Sequence, residues 1–374
     1  MSADASSTAA PSQARQALAP PDASPAPAGL AEPDVPVVSS TLTWRDTLKR
    51  WSLRWGIGRG TSAVTPGLYR IGEPTPASPV VVTCNYRMTV DLVRRDLAGV
   101  DAWLLVLDTF GINVWCAAGK KTFGTDELVR RIFATHLADY VDHETLILPQ
   151  LGAVGVAAHK VRQLTGYRIV WGPVRSADLR AFIADGLTAT PEMRAVTFTF
   201  AERMALSPME VVPSLRYAWW AVPLLVLLAV VGASIGRRGF VPLAALLALF
   251  PSIAMFALAV LAGGVLVPAL LPWTPGRAFT VKGAVLGAAL ALAALAALPG
   301  MLGGQSAWGW AAVVLAVAAA ASYLGVNFTG STPYTSPSGV EAELRRAIPW
   351  EAAALVMGLV SWTVAWATKI GALR

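Results

Sequence analysis

Cysteine is scarce in this sequence. The 374 residues contain two cysteines, Cys84 and Cys116, and no pair with Cys-x-x-Cys spacing. Two isolated thiols argue against a disulfide framework, and the missing spacing excludes a self-contained iron–sulfur or zinc site of the usual kind. We therefore expect a reducing compartment around Cys116.

Charge is almost absent from the second part of the chain. Residues 1–216 hold 22 of the 30 lysines and arginines and 20 of the 23 acidic residues. The whole chain is 55% hydrophobic, with a mean hydropathy of +0.54 and a net charge of +7. This composition predicts a soluble domain followed by several membrane spans. The excess of cations suits membrane edges better than a nucleic-acid surface, so we predict no nucleic-acid partner.

A secretion signal is missing from the amino-terminal region. Residues 1–43 are rich in Ala, Pro and Ser and lack a basic start and a continuous apolar core, so we predict a disordered extension. The segment that follows, WRDTLKRWSLRWGIGRG, repeats Trp and Leu at helical spacing between basic residues, which predicts an amphipathic helix. Its aromatic stripe suits either an anionic membrane surface or packing on the next domain, and we favour packing.

Strand-like and helix-like segments alternate from Pro79 to Val212. The predicted strands are residues 79–84, 102–109, 145–150 and 167–173. The predicted helices are residues 90–97, 126–140 with Thr125 as N-cap, 155–164 and 176–183. We therefore predict a Rossmann-like α/β domain over residues 44–212, with a mostly parallel sheet and ligands at the carboxyl ends of its strands.

Five runs without charge follow this domain. They are residues 217–236, 241–271, 283–302, 306–328 and 352–368, each near the ~17 to 25 residues that a helix needs to cross a bilayer. We predict an all-α transmembrane bundle of about five helices over residues 213–374, with a tilted, kinked or re-entrant second span because of its Gly and Pro residues. Because no charge lies within a run, an anchor or scaffold is favoured over a transporter. A thin excess of flanking cations predicts a multi-pass protein of the cytoplasmic (inner) membrane, with the α/β domain in the cytoplasm.

Cys116 lies in the segment GINVWCAAGKKTF, directly after a predicted strand. A lone cysteine is most often a small buried hydrophobic residue. Here, however, it follows a strand end among Gly111 and Asn113, where a Rossmann-like sheet presents its ligands. The position favours a functional thiol and leaves open whether it acts as ligand, nucleophile or redox group.

The string NVWCAAGK, Asn113 to Lys120, resembles the signature of the mercury-methylating corrinoid protein family (HgcA). The resemblance extends from about Trp44 to the end of the chain and includes the five apolar runs. It implies a membrane-anchored, corrinoid-dependent methyltransferase that passes a methyl group from Cys-ligated methylcobalamin to Hg(II), forming methylmercury. Cys84 is the one local departure, since we expect a small or cyclic residue there in relatives.

The resemblance also implies roles for single residues. Cys116 would be the catalytic residue and the lower axial ligand of the corrinoid cobalt, and the chain would carry no iron–sulfur cluster of its own. The Asp-x-His-x-x-G pattern of His-ligated cobalamin proteins is absent. A capping helix beneath the corrin would be formed by Asn113, Val114, Trp115, Ala117, Ala118, Gly119 and Lys120. Two further strand ends offer candidate contacts to the cofactor, with plain loop structure as the competing interpretation: Thr83, Asn85, Tyr86, Gln150 and Gly152.

Partners follow from the same resemblance. A ferredoxin-like protein with two four-iron clusters would be the reductant, and a protein of the tetrahydrofolate pathway would be the methyl donor. Three alternatives remain open. A corrinoid methyl carrier of the acetyl-CoA synthesis type would bring a cluster motif and no membrane half. A membrane thiol oxidoreductase would need two close cysteines, and a non-enzymatic mercury-binding membrane protein would show paired cysteines beside a span.

Overall fold

The computed structural model describes residues 35–216, 218–219, 227, 242–298, 306–329 and 337–371. It divides the chain into two compact units. One contains the chain up to Leu53 together with Ile57–Val196, and the other contains Arg54–Gly56 together with Thr197–Arg374. The predicted span at residues 217–236 falls, apart from three positions, outside the described residues.

The first unit is an α/β domain. Its elements in chain order are α1 (Trp44–Arg54), β1 (Gly67–Ile71), β2 (Val80–Cys84), α2 (Arg87–Asp96), β3 (Ala102–Leu107), α3 (Val114–Gly119), α4 (Thr125–Ala134), β4 (Thr145–Leu148), α5 (Ala158–Thr165), β5 (Arg168–Trp171), α6 (Leu179–Ala184) and α7 (Pro191–Arg194). The four predicted strands are all present, each shorter by one to three residues.

The sheet has the strand order β1-β3-β2-β4-β5. Strands β2 to β5 pair in parallel, whereas β1 pairs antiparallel with β3. The sheet is therefore mixed, and β1 was missed from the sequence. Its segment GLYRI lies at the edge of the sheet and is only partly buried, so it lacks the continuous apolar run that marks the central strands.

Helices cover both faces of the sheet. Successive strand residues point to opposite faces, so Leu104 belongs to one hydrophobic cluster and Leu105 to the other. The Leu105 cluster includes Leu128 of α4, and the Leu104 cluster includes Val93 of α2 and Phe182 of α6. Because both faces are covered, β2 and β3 are buried along their whole length, as their apolar sequences predict.

Helix boundaries differ from the prediction at several points. The N-cap of α4 is Gly124, not Thr125, whose hydroxyl oxygen instead accepts a hydrogen bond from the backbone N–H of Ala157 at 2.8 Å. The helix ends at Ala134, because His136 takes a left-handed conformation with φ of 49°. Helix α2 begins three residues earlier than predicted, and residues 155–157 precede α5 as loop.

The disordered extension predicted for residues 1–43 does not reach residue 43. Val35 is buried, and the backbone N–H of Val38 donates to the carbonyl of Arg70 at 2.8 Å. The N–H of Arg70 donates in return to the carbonyl of Pro36 at 3.0 Å. This segment therefore runs beside β1 instead of being disordered; residues 1–34 lie outside the described part of the chain.

The second unit is helical. Its elements are α8 (Phe200–Leu206), α9 (Pro242–Val260), α10 (Val267–Leu270), α11 (Phe279–Ala297), α12 (Ala307–Thr329) and α13 (Pro337–Gly371). Four stretches of the described chain are long and apolar enough to cross a membrane: Phe250–Leu270, Phe279–Ala297, Ala307–Phe328 and Ser338–Ala365. The irregularity predicted for the second run is a π-helix, Leu261–Leu266, between α9 and α10, and it contains two adjacent glycines.

Small residues allow α11 and α12 to approach closely, as their composition predicts. A Cβ atom on Gly283 would lie 2.3 Å from the carbonyl oxygen of Ala321.

The prediction that no charge lies within a span is wrong. Glu351 of α13 is buried and accepts a hydrogen bond from the Ser322 hydroxyl of α12 at 2.6 Å. Lys282, which directly precedes the predicted run at residues 283–302, is buried in the first turn of α11 and donates to the carbonyl of Leu271 at 3.0 Å.

Candidate functional site

Four loops meet at the carboxyl edge of the parallel strands. Strand β2 leads into Asn85 and Tyr86, β3 into residues 108–113, β4 into residues 149–155, and β5 into Gly172. This is the edge at which open α/β sheets bind ligands. The loop after β3 leads directly into α3, the helix that carries Cys116.

The first turn of α3 is held by a side-chain cap. Asn113 has extended backbone angles, and its Oδ1 accepts the backbone N–H of Cys116 at 3.0 Å. At the other end, Lys121 takes a left-handed conformation with φ of 62° and terminates the helix. Cys116 thus lies on a six-residue helix whose start is fixed by Asn113.

The two faces of α3 differ. Cys116 is exposed, together with Trp115, Gly119 and Lys120. Val114, Ala117 and Ala118 are buried and pack into the core. Ala117 and Ala118, two of the small residues assigned to the helix beneath the cofactor, therefore face the core of the domain. Gly119, one turn after Cys116, is the small residue on the outward face, and a Cβ atom there would meet nothing within 4 Å.

Glycines of the loop after β4 support α3 from behind. A Cβ atom on Gly155 would lie 2.2 Å from the carbonyl oxygen of Phe123 and 3.0 Å from Cα of Ala118. A Cβ atom on Gly152 would lie 2.6 Å from the Phe123 ring. The loop therefore packs against α3 as a support, and Gly152 is buried instead of facing outward. Gln150 of the same loop accepts a hydrogen bond from Arg194 at 2.6 Å.

The strand end after β2 is also interior. Thr83, Asn85 and Tyr86 are all buried. The Asn85 Oδ1 accepts the backbone N–H groups of Thr109 at 3.1 Å and of Gly111 at 2.9 Å, and its amide donates to Asp108 at 3.1 Å. Asn85 thus joins the end of β2 to the loop that precedes α3. It is a positioning residue for that loop.

Two exposed apolar residues beside α3 escaped the sequence prediction. Phe110 is 74% exposed and takes a left-handed conformation with φ of 56°, and Val154 is 77% exposed. A left-handed conformation is unusual for a bulky residue and occurs at functional sites more often than elsewhere. The signal in the sequence was a Phe-Gly pair directly after a strand, which reads as a turn and not as a contact surface. Phe110 lies in the loop that leads into α3, and Val154 lies in the loop after β4 that packs against α3.

The two thiols differ in environment. Cys84 lies at the end of β2, directly opposite Leu107 of β3, and is fully buried, which raises the pKa of its thiol. Cys116 is exposed, and neither cysteine forms a disulfide. Strands β2 and β3 adjoin, so both thiols lie near the same end of the sheet, but Cys84 is buried within β2 and only Cys116 is exposed to a substrate.

The outward face of α3 fits a corrinoid better than a protein-ligated metal. Within the described ranges, no group of three or more His, Cys, Asp or Glu residues converges on a metal-sized site. A corrin ring supplies the equatorial nitrogen ligands itself, so a single thiol suffices from the protein. The exposed thiol, the open space beside Gly119 and the exposed Trp115 on the same helix suit a large flat ring.

Comparisons with known proteins concern the α/β unit. Residues 40–183 match the family model described as CO dehydrogenase/acetyl-CoA synthase delta subunit. The chain is 36% identical over 127 residues to the acetyl-CoA decarbonylase/synthase complex subunit gamma of Methanopyrus kandleri, covering 33% of this chain and 27% of the relative. It is 32% identical over 122 residues to the corresponding subunit of Archaeoglobus fulgidus, covering 32% of this chain and 26% of that one. These matches support a corrinoid protein family.

The likeness is partial on both sides. The chain spans about a quarter of the length of the curated relatives that it matches, and the match to the family model ends at residue 183, before the helical unit. The names of these relatives refer to an acetyl-CoA decarbonylase/synthase complex and not to mercury. They are therefore nearer to the acetyl-CoA synthesis alternative than to mercury methylation.

Proposed function

We propose that this protein is a membrane-associated corrinoid methyl carrier in which Cys116 is the axial ligand of the corrinoid cobalt. The observation that carries the proposal is the exposed position of Cys116 on a capped helix at the carboxyl edge of the sheet, within the region similar to acetyl-CoA decarbonylase/synthase subunits. The four apolar stretches allow the chain to associate with a membrane.

Each residue at this edge has a role in the proposal. A bound corrinoid supplies a cobalt centre that accepts and releases a methyl group. Cys116 offers its sulfur toward the ring, and Asn113 fixes the helical turn that holds it. Gly119 leaves room for the ring, and Trp115 and Phe110 offer apolar contact to its surface. A thiolate ligand donates electron density to its metal, as it does to haem iron.

Electrons for such a cycle must come from another protein. The chain has two cysteines, one of them buried, and a four-iron cluster needs four ligands. The resemblance of NVWCAAGK to the mercury-methylating corrinoid family implies a ferredoxin-like partner with two four-iron clusters as the reductant and a tetrahydrofolate-linked protein as the methyl donor, and we propose both for this chain. The relatives in the comparisons are subunits of a multi-subunit complex. We propose that this chain also acts with protein partners.

The methyl acceptor has two candidates. Similarity to acetyl-CoA decarbonylase/synthase subunits favours a role of the acetyl-CoA synthesis type. Hg(II) is the second candidate, favoured by the string NVWCAAGK and by the apolar helical unit. A soft electrophile such as Hg(II) suits a methyl group made electron-rich by a sulfur ligand.

The cofactor assignment is tested on the full chain, produced in detergent without oxygen and supplied with a corrinoid. Cobalt content and the visible spectrum are compared for the wild type, Cys116→Ala and the matched control Cys84→Ala. We expect one cobalt per chain and the same spectrum in the wild type and the control, and an altered axial-ligand spectrum in Cys116→Ala. An unchanged Cys116→Ala spectrum, or a wild type without cobalt, would refute the proposal.

The acceptor is tested on the same preparation after loading with a labelled methyl group. One portion receives Hg(II) with the reductant, and the other receives an acetyl-CoA synthase with carbon monoxide and coenzyme A. Labelled methylmercury without labelled acetyl-CoA identifies Hg(II) as the acceptor. The opposite result identifies the acetyl-CoA synthesis role.

A further inference from the structure

Helix α1 is fixed to the α/β unit by one of its faces. Asp46 forms ion pairs with Arg87 at 2.6 Å and with Arg94 at 2.9 Å, both on α2. Leu53, two turns further along α1, is completely buried. At 3.6 residues per turn, Asp46 and Leu53 lie on the same side of the helix. The ion pairs of Asp46 therefore fix this side of α1 to α2 of its own domain.

The opposite side of α1 is an exposed stripe of aromatic and aliphatic residues. Trp44 is 68% exposed and Leu48 is 59% exposed. Trp51 and Trp55 continue the same line at helical spacing and are also exposed. The sequence predicted that α1 packs on its own domain. The structure makes this packing through Asp46, on the side of the helix opposite to the tryptophan stripe. This corrects the sequence prediction, which expected the stripe to be covered.

Cations flank this stripe. Arg45 lies along one edge of it and Arg54 along the other, by their positions on the helix. The guanidinium of Arg45 lies 5.4 Å from the centroid of the Trp44 ring. The one acidic residue of α1, Asp46, is already engaged by two arginines on the other side. The outward face therefore combines tryptophans and leucine with positive charge that no carboxylate of α1 opposes.

Tryptophan, leucine and basic residues on one helix face match the chemistry of an anionic bilayer surface. Indole rings settle at the level of the lipid headgroups, and flanking lysines and arginines pair with lipid phosphates. Four stretches of the same chain are suited to cross a bilayer, so a lipid surface is available to this helix. A protein partner would be expected to cover an apolar patch without this ring of cations.

We propose that α1 lies in the headgroup region of a membrane containing anionic lipids, with Trp44, Leu48 and Trp51 inserted and with Arg45 and Arg54 at the phosphates. The helix then ties the α/β unit to the bilayer surface independently of the spans. The inference does not depend on the corrinoid or on the identity of the methyl acceptor.

The test uses the full chain with a nitroxide label at position 48, introduced as Leu48→Cys in a Cys116→Ala background. Cys84 is buried and remains unlabelled. The matched control is Gln163→Cys, an exposed polar position on α5. Each labelled protein is reconstituted into vesicles of phosphatidylcholine alone or of phosphatidylcholine with phosphatidylglycerol. Collision rates are measured with molecular oxygen, which concentrates in the bilayer, and with a water-soluble nickel chelate.

In vesicles with phosphatidylglycerol, we expect the label at position 48 to gain collisions with oxygen and to lose collisions with nickel relative to position 163. Neutralising Arg45 and Arg54 together (Arg45→Gln with Arg54→Gln) should lower the ratio of inserted to exposed label by about fivefold for each cation removed.

Three results would overturn the proposal. Equal nickel access at positions 48 and 163 would mean that α1 does not touch the bilayer. Shielding from both reagents, in detergent as well as in vesicles, would mean that protein covers the stripe, either from this chain, a second copy or a partner. If the label inserts equally into both vesicle types, anionic lipid is not what α1 recognises.

Discussion

At the scale of single residues, the site depends on how Asn113 presents Cys116. One amide oxygen satisfies the backbone N–H of the cysteine itself, so the cap and the candidate ligand share a single turn. The string NVWC indicates the pairing of Asn113 with Cys116, because Asn is a preferred N-cap at the start of a helix. The sequence did not reveal that Asn85, distant along the chain, holds the preceding loop through its contacts with Thr109 and Gly111.

Replacing the cap tests this coupling. Asn113→Ala removes the acceptor for the N–H of Cys116 and should cost about 1 kcal/mol in the first turn of α3. Corrinoid retention by the full chain should fall about fivefold, since that free energy is lost from the bound state. Asn113→Asp keeps an acceptor oxygen and should retain the cofactor. Equal retention in the alanine and aspartate variants would show that the cap does not position Cys116.

A second residue-scale prediction concerns Asp46 and pH. Burial alone would raise its pKa, but hydrogen bonds from Thr43 and Arg94 and the charge of Arg94 outweigh it and hold the pKa at about 2, below the ordinary 3.8. The folded state therefore favours the ionised carboxylate, so this stabilisation is present above pH 3.8 and is lost as the pH falls toward 2.

Asp46→Asn should lower the melting temperature of the α/β unit at neutral pH. The difference from wild type should shrink as the pH falls from 3.8 toward 2, where the wild-type carboxylate protonates. The measurement is thermal unfolding of the full chain in detergent across this pH range. Asp139→Asn, at an exposed position, is the control. A difference that stays constant with pH would exclude the ion pairs of Asp46 as its cause.

At the scale of elements, the geometry of the site depends on close packing between α3 and the loop after β4. The sequence predicted a helix at α3 and a strand end before the loop, but it did not predict the contact between them. Gly155 stands where a side chain would strike Ala118 and Phe123, and such a requirement becomes visible only when the two segments are placed together in space.

Gly155→Ala should therefore displace α3. A Cβ atom at 2.2 Å from a backbone oxygen forces the two segments apart, at a cost of about 1–3 kcal/mol. We expect lower corrinoid content and a lower melting temperature. Gly60→Ala is the matched control, because a Cβ atom there meets nothing within 4 Å. If Gly155→Ala binds corrinoid as the control does, the loop is not a support for α3.

At the scale of the whole molecule, the chain consists of two compact units with different chemistry. The polar pair Ser322 and Glu351 lies in the helical unit, between α12 and α13. A buried carboxylate in such a place is stabilised only if its hydrogen bond is made. The match to the CO dehydrogenase/acetyl-CoA synthase delta subunit family ends at residue 183, within the α/β unit, so we expect the two units to respond separately to substitution.

Ser322→Ala tests this separation. It leaves the Glu351 carboxylate without the Ser322 donor and should destabilise the helical unit by about 1–3 kcal/mol. The double variant Ser322→Ala with Glu351→Met removes both partners and should recover part of the loss. Thermal unfolding in detergent measures the effect, and the corrinoid spectrum should not change. A changed spectrum would indicate that the units are coupled.

The sequence by itself determined the division into a charged α/β part and an apolar helical part, four of the five strands, and Cys116 as the candidate ligand. These features depend on local pattern: apolar runs, helical spacing and residues directly after strand ends. Tertiary structure alone decided which residues share a surface. It placed Ala117, Ala118, Thr83 and Tyr86 in the interior, left Phe110 and Val154 exposed, added edge strand β1, and turned the tryptophan stripe of α1 outward. The physical reason is that burial and contact depend on segments far apart in the chain, which local pattern does not encode.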